Sequence, residues 1–178
     1  MKKNKTSKKF VYLISPDKIE NEQFYINLAL VLSSRKVSFF QLRLKKETNQ
    51  NKFIIGKKIK KICKKYKVKF LINDDPLLAK KLNADGCHLG QKDMNLIEAR
   101  KILKNKIIGI TCHNSINLAK RAIKDGANYL AFGAFYSSKT KTVKYKARLT
   151  ILKSVKKITS LPIVAIGGIK LNNYKKLL

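Results

Sequence analysis

A chain of 178 residues with 41 Lys and Arg against 10 Asp and Glu carries a formal charge of +31, yet it is 44% hydrophobic with only 8 Gly and 3 Pro. That composition excludes a disordered or low-complexity chain, and the length suits one domain, residues 1–178, with a substantial core. No apolar run approaches the roughly 18 residues of a membrane span, and Cys63, Cys87 and Cys112, odd in number and without C-x-x-C spacing, indicate neither a disulfide framework nor a zinc site.

Residues 1–9 are read as a basic, solvated arm. The start resembles the basic region of a signal peptide, but "FVYLI" is shorter than the roughly 7 apolar residues such a signal needs and no small-residue cleavage site follows; the cysteine number and spacing lead to the expectation of a reducing cytoplasm. The first strand is "FVYLIS" from Phe10, followed by a helical face of Tyr25, Leu28, Ala29 and Leu32. "VSFFQLRL" from Val37 is the second strand. In the helix after it Ile55, Ile59, Ile62 and Tyr66 recur at spacings of 4, 3 and 4, with lysines filling the other positions. "KFLIN" from Lys69, a helix starting near Pro76, "GCHL" from Gly86 and a face of Leu96, Ala99 and Leu103 come next. "IIGIT" from Ile107, helix caps at Asn114 and Ser115, "YLAFG" from Tyr129, a face of Ile151, Val155 and Ile158, and "PIVAIGG" from Pro162 complete the pattern. Seven strands alternate with seven helical segments, and most strands are continuously apolar, as strands buried on both faces are. This is the signature of parallel βαβ units, open to a (β/α) barrel or a doubly wound sheet.

Polar residues gather at the C-terminal ends of the strands: Gln41 and Arg43, Asn73 and Asp74, His88 with Asp93 beyond it, Thr111, the loop from Gly133 to Lys141, and Gly167 with Gly168. In a barrel those ends surround one mouth, whereas in an open sheet they lie along a line. The barrel is therefore expected, and the absence of G-x-G-x-x-G after the first strand argues against a dinucleotide site. Asp74 and Asp93 are candidate Mg²⁺ ligands, since Mg²⁺ commonly takes one or two carboxylates plus phosphate oxygens. The competing assignment makes Asp74 a helix N-cap and Asp93 a surface loop residue. Asp75 before Pro76 and Asp85 in the "ADG" turn have ordinary backbone explanations. In "QLRLK", Gln41, Arg43 and Lys45 alternate, share one face of an extended segment and can grip a diphosphate. "YSSKTK" offers Ser138, Thr140 and Lys141 to an anion, and Gly168 lets the backbone approach a ligand. The lysines are spread over every helix, which suggests solvated faces; no nucleic-acid module is recognisable, and a polyanion-binding barrel is the rival from another functional class.

In this order and spacing "QLRLK", "NDD", "DGCHLGQKDM", "GITCHN", "FGAFYSSKTK" and "PIVAIGGI" resemble the thiamine phosphate synthase family, from the first strand to the last residue. The resemblance implies a (β/α)8 TIM barrel and an Mg²⁺-dependent transferase. Its reaction would join 4-amino-2-methyl-5-hydroxymethylpyrimidine diphosphate to a thiazole phosphate, giving thiamine phosphate and pyrophosphate through a pyrimidine methylene cation. It further implies that Gln41, Arg43, Lys45, Asn73, Thr111 and Lys141 bind the pyrimidine diphosphate, that Ser138, Thr140 and Gly168 contact the thiazole phosphate, and that Asp74 and Asp93 hold the metal. The partners expected are phosphorylated small molecules.

The family usually has an acidic residue at Leu44, which should point away from the Gln41 face, serine at Thr111, and Pro-Thr at Ser137 and Ser138. "KLNNYKKLL" follows the seventh strand, so a barrel without its eighth βα unit is expected. A thiazole tautomerase, similar to the synthases throughout, carries a catalytic histidine where Ala134 stands here. His88 and His113 are read as structural, and Cys112 beside His113 is not expected to be a nucleophile, because neighbours along a strand face opposite ways.

Overall fold

Strand residues alternate between two sides of a sheet, and here both sides are apolar, so each strand demands cover on two faces. The computed structural model, which describes residues 9–137 and 145–178, meets that demand with parallel strands and outer helices. The elements in chain order are β1 (Val11–Ile14), α1 (Gln23–Ser33), β2 (Val37–Leu42), α2 (Asn49–Lys65), β3 (Lys69–Asn73), α3 (Pro76–Lys81) and β4 (Gly86–Leu89). They continue with α4 (Leu96–Leu103), β5 (Ile107–His113), α5 (Ile116–Lys124), β6 (Tyr129–Phe132), α6 (Thr150–Lys156), β7 (Ile163–Ala165) and a short 3-10 helix (Tyr174–Leu177). Among the described residues seven strands form one parallel sheet in the order β1-β2-β3-β4-β5-β6-β7.

One side of each strand packs on the helices. Phe40, Phe70, Ile72, Leu89, Ile108 and Phe132 meet helix residues such as Leu32, Ile59, Cys63, Ala99 and Val155, all fully or almost fully buried. The other side builds a second, smaller core of Leu71, Tyr129, Ala131 and Val164, against which Phe10, Tyr12, Phe39 and Ile166 pack. Its members span β1 to β7, and the phenols of Tyr12 on β1 and Tyr129 on β6 are 2.8 Å apart. Strands that distant in sheet order touch only if the sheet curls on itself, so the architecture is a nearly closed barrel of the TIM type.

Two expectations are corrected. β2 stops at Leu42 rather than at Leu44, because the Arg43 N–H donates to Ser15 Oγ at 2.8 Å instead of to a neighbouring strand. After β7 the described chain makes a 3-10 helix, with no α-helix. The residue alternation nevertheless continues past β2: Leu44 is buried in the helix-side core while Lys45 is exposed, as its reading from sequence required. The amphipathic reading of α2 holds, with Ile59 buried, Ile55, Ile62 and Tyr66 half-buried, and Lys57, Lys58, Lys61, Lys64 and Lys65 exposed. All three cysteines are free and buried. No helix among the described residues is long and apolar enough to cross a membrane. Most of the expected basic arm, residues 1–8, lies outside the described residues.

Candidate active site

Three aspartates in the β3–β4 region look alike in sequence and do different work. Asp75 caps α3: its Oδ1 accepts from the Leu78 N–H at 2.9 Å, with Pro76 in the first turn, where a missing N–H costs nothing. Asp85 holds the far end of β3, accepting from the Phe70 N–H at 2.9 Å and pairing with Lys69 at 3.0 Å. Asp74 does neither. Its backbone turns left-handed, φ 64°, a conformation Asp tolerates better than most residues, and its N–H donates to the His88 carbonyl at 2.8 Å. Its carboxylate is thereby free for the mouth, where Lys45 Nζ lies 3.3 Å from Oδ2.

Asp93 reaches the same place from the loop after β4. One oxygen accepts from the Gly90 N–H at 2.7 Å, and the cap of the following helix is Asn95, so Asp93 is not spent on capping. Burial first, then the adjacent Asp74 carboxylate, push Asp93 above the usual carboxylate range, against the Gly90 N–H and the Lys45 ammonium. Two neighbouring carboxylates, one of them raised by burial and by the other's proximity, suit a divalent cation. Among the described residues no group of three or more His, Cys, Asp or Glu could hold a metal. Asp74 and Asp93 alone would give a hard ion part of its shell, the rest coming from water and substrate oxygens.

Beneath the mouth runs a buried polar chain. Gln41 Nε2 donates to Tyr12 Oη at 2.8 Å, Tyr12 and Tyr129 hydroxyls are 2.8 Å apart, Tyr129 Oη is 2.7 Å from His88 Nδ1, and His88 Nε2 is 2.8 Å from Thr111 Oγ1. An amide nitrogen can only donate, which sets the direction. Tyr12 passes its proton toward Tyr129, Tyr129 toward Nδ1, and the Nε2–H of a neutral His88 toward Thr111. Both phenol protons and the His88 ring N–H are then used, in accord with the absence of unsatisfied buried side-chain atoms among the described residues. Burial drives His88 down to about 4, against a small opposing pull from Asp93, and raises both tyrosines above their ordinary value. Gly109 makes room for the chain: a Cβ there would run into the Tyr129 ring.

The chain joins Gln41 on β2 to Thr111 on β5, two residues assigned from sequence, through Tyr12, Tyr129 and His88, of which neither tyrosine was singled out. Both are hydroxyl-bearing aromatics in otherwise apolar strands, and only the curled sheet shows that both face the lumen. Asn73 ends β3, in register with His88. Arg43 pairs with Asp17, another residue the sequence reading passed over. A cleft of about 380 Å³ beside the mouth is lined by Lys45, Asn73, Asp74, Lys52 and Met94. Gly168, φ 62°, packs against the carbonyls of Tyr136 and Ser137, where a side chain would collide. Ser138, Thr140 and Lys141 lie outside the described residues. Cys112 is buried and its thiol is pushed up to about 12, so it is no nucleophile, and the His113 ring packs on Tyr145.

Residues 11–178 match the family described as thiamine monophosphate synthase. The chain is 84% identical over 178 residues to the thiamine-phosphate synthase of Pelagibacter ubique (strain HTCC1062), spanning 100% of this chain and 86% of that protein. It is 40% identical over 169 residues to the thiamine-phosphate synthase of Nitrosomonas eutropha (strain DSM 101675 / C91 / Nm57), covering 94% of this chain and 79% of that one. Among solved structures, thiamine phosphate pyrophosphorylase from Pyrococcus furiosus superposes with a TM-score of 0.80 at 28% identity, over 94% of this chain and 79% of its own. A truncated 3-deoxy-D-arabino-heptulosonate 7-phosphate synthase from Thermotoga maritima, TM-score 0.63 at 16% identity, shares the fold alone. With the family match over residues 11–178 and relatives of one name at 84% and 40% identity, the chain belongs to the thiamine monophosphate synthase family.

Proposed function

We propose that the chain is a thiamine-phosphate synthase. It joins 4-amino-2-methyl-5-hydroxymethylpyrimidine diphosphate to a thiazole phosphate and releases pyrophosphate, with Mg²⁺ held by Asp74 and Asp93. The fold is read as a (β/α)8 TIM barrel, and the working compartment as the cytoplasm. The observation that carries the function is convergence: Gln41, Arg43, Lys45, Asn73, Asp74, Asp93 and Thr111 come from four strands and their loops to one barrel mouth.

Several features support the roles. Arg43 and Lys45 are cations at the rim, suited to a diphosphate. With His88 donating to its oxygen, the Thr111 hydroxyl keeps its own proton for a phosphate oxygen. Gln41 is held by Tyr12 and cannot swing away. When bound, Mg²⁺ supplies charge neutralisation for the departing pyrophosphate. The protein's own contribution is positional and electrostatic: preorganised donors face the charge that develops as the C–O bond to pyrophosphate breaks, while the thiazole nitrogen is aligned for attack. No general base is required. Lys141 is assigned to the diphosphate, and Ser138, Thr140 and Gly168 to the thiazole phosphate. Ala134, where a tautomerase would carry histidine, offers no acid or base.

The test is thiamine phosphate formation by the purified chain, with Mg²⁺ and with chelator. Product is expected only with Mg²⁺, and Asp93→Asn should lower turnover by about a hundredfold or more, the order lost when a group stabilising developing charge is removed, while its circular dichroism stays unchanged. Full activity in that variant would overturn the metal assignment. Polyanion binding that weakens steeply with salt and ignores Asp74 and Asp93, with no product, would support a non-catalytic barrel instead.

A further inference from the structure

Arg43 is not left to find its own orientation. The loop between β1 and α1 is fastened to the end of β2 on both sides of Leu42: the Ser15 N–H donates to the Gln41 carbonyl at 2.9 Å, and Ser15 Oγ accepts from the Arg43 N–H at 2.8 Å. Ser15 is one of only three buried polar or charged residues among those described, the others being Gln41 and His88. Its hydroxyl donates on to the Pro16 carbonyl at 3.0 Å, and Pro16 fixes its own φ. Two residues past Ser15 stands Asp17, whose Oδ1 receives Arg43 Nη1. The pair is only partly solvated, with side-chain exposures of 22% for Arg43 and 36% for Asp17.

We infer that Asp17 is a positioning residue for the diphosphate subsite: held by the Ser15 fastening, its carboxylate fixes the Arg43 guanidinium by one nitrogen and leaves the rest of the fork to the substrate's phosphates. The inference rests on the proposed function of the mouth. Guanidinium geometry makes it work, because five N–H donors lie in one rigid plane and fixing Nη1 orients the others. Among the described residues Nε and Nη2 of Arg43 have no protein partner. A second role is conceivable for such a carboxylate, a stand-in anion that the diphosphate displaces. The charge balance decides against it. In a chain of net charge +31, attraction of an anion is abundant and orientation is scarce, so the carboxylate is of more use as a fixture than as a competitor. A displaceable stand-in would also need no fastening of its loop.

The experiment titrates pyrophosphate with Mg²⁺ into the wild type, Asp17→Asn, Asp17→Glu, Arg43→Ala and the Asp17→Asn/Arg43→Ala double variant, and measures KM for both substrates. Asp17→Asn should weaken pyrophosphate binding and raise the KM for the pyrimidine diphosphate about tenfold, the worth of a charge-assisted hydrogen bond. The KM for the thiazole phosphate and the melting temperature should not move, and Asp17→Glu should recover most of the loss. In the Arg43→Ala background Asp17→Asn should add nothing. Tighter or unchanged pyrophosphate binding in Asp17→Asn, or the same loss with Arg43 absent, would overturn the inference. A wild type that binds pyrophosphate yet forms no thiamine phosphate would overturn the proposed function alone, since the titrations still judge Asp17; a wild type that binds no pyrophosphate would overturn both.

Discussion

His88 carries a stability signature that its burial makes measurable. Its proton affinity falls from the ordinary 6.5 to about 4 in the folded barrel, because burial disfavours the imidazolium more than the Asp93 carboxylate favours it. Between those two values the unfolded chain binds a proton that the native chain refuses, so stability falls as pH drops from about 6.5 toward 4 and is fully present above that window. At about 1.36 kcal/mol per pH unit the loss approaches 3 kcal/mol. Urea unfolding at pH 7.5 and at pH 4.5 measures it. His88→Gln, less stable at neutral pH, should lose much of the pH dependence in this window; an undiminished slope would place its origin in the carboxylates.

The aspartates separate at the scale of the element. Asp75→Ala removes the α3 cap and should cost about 1 kcal/mol, a drop in melting temperature of about 3 °C for a chain of this size. Asp74→Asn should leave the melt almost unmoved, because asparagine also tolerates a left-handed backbone and the Lys45 pair is partly solvated, where an ion pair contributes little. Equal losses would mean that Asp74 is structural after all. The distinction was partly legible in sequence: Pro76 in the first helical turn already points to Asp75 as cap. Strand positions, the amphipathic face of α2 and the gathering of Gln41, Asp74, Asp93 and Thr111 at one end were legible too, since they follow from period and from parallel topology. The Tyr12–Tyr129–His88 chain was not. In a strand apolar on both sides, parity alone does not tell lumen from helix layer, and only curvature brings β1 against β6. The end of β2 escaped for a similar reason, a hydrogen bond from Arg43 to Ser15 that depends on a loop 28 residues away.

For the whole molecule the charge is a cost spread over its surface. Exposed lysines occupy α2, α4, α5 and α6, including Lys57, Lys61, Lys101, Lys124 and Lys153, without condensing into one stripe. Ten acidic residues cannot pair 41 cations, so self-repulsion opposes the compact state. Raising salt from about 0.01 to 0.1 M shortens the screening length from about 30 to 10 Å and should raise the melting temperature. A falling one would mean that the surface ion pairs outweigh the repulsion. The strand order bears on assembly as well. Each strand pairs with its successor in sequence, so a growing chain can lay down the sheet unit by unit without holding an unpaired edge for long. Tyr12 is the exception, since its phenol waits for Tyr129, 117 residues later. Until β6 arrives, the proton of the Tyr12 hydroxyl and Nδ1 of His88 are served by solvent, so the centre of the barrel dries late in assembly.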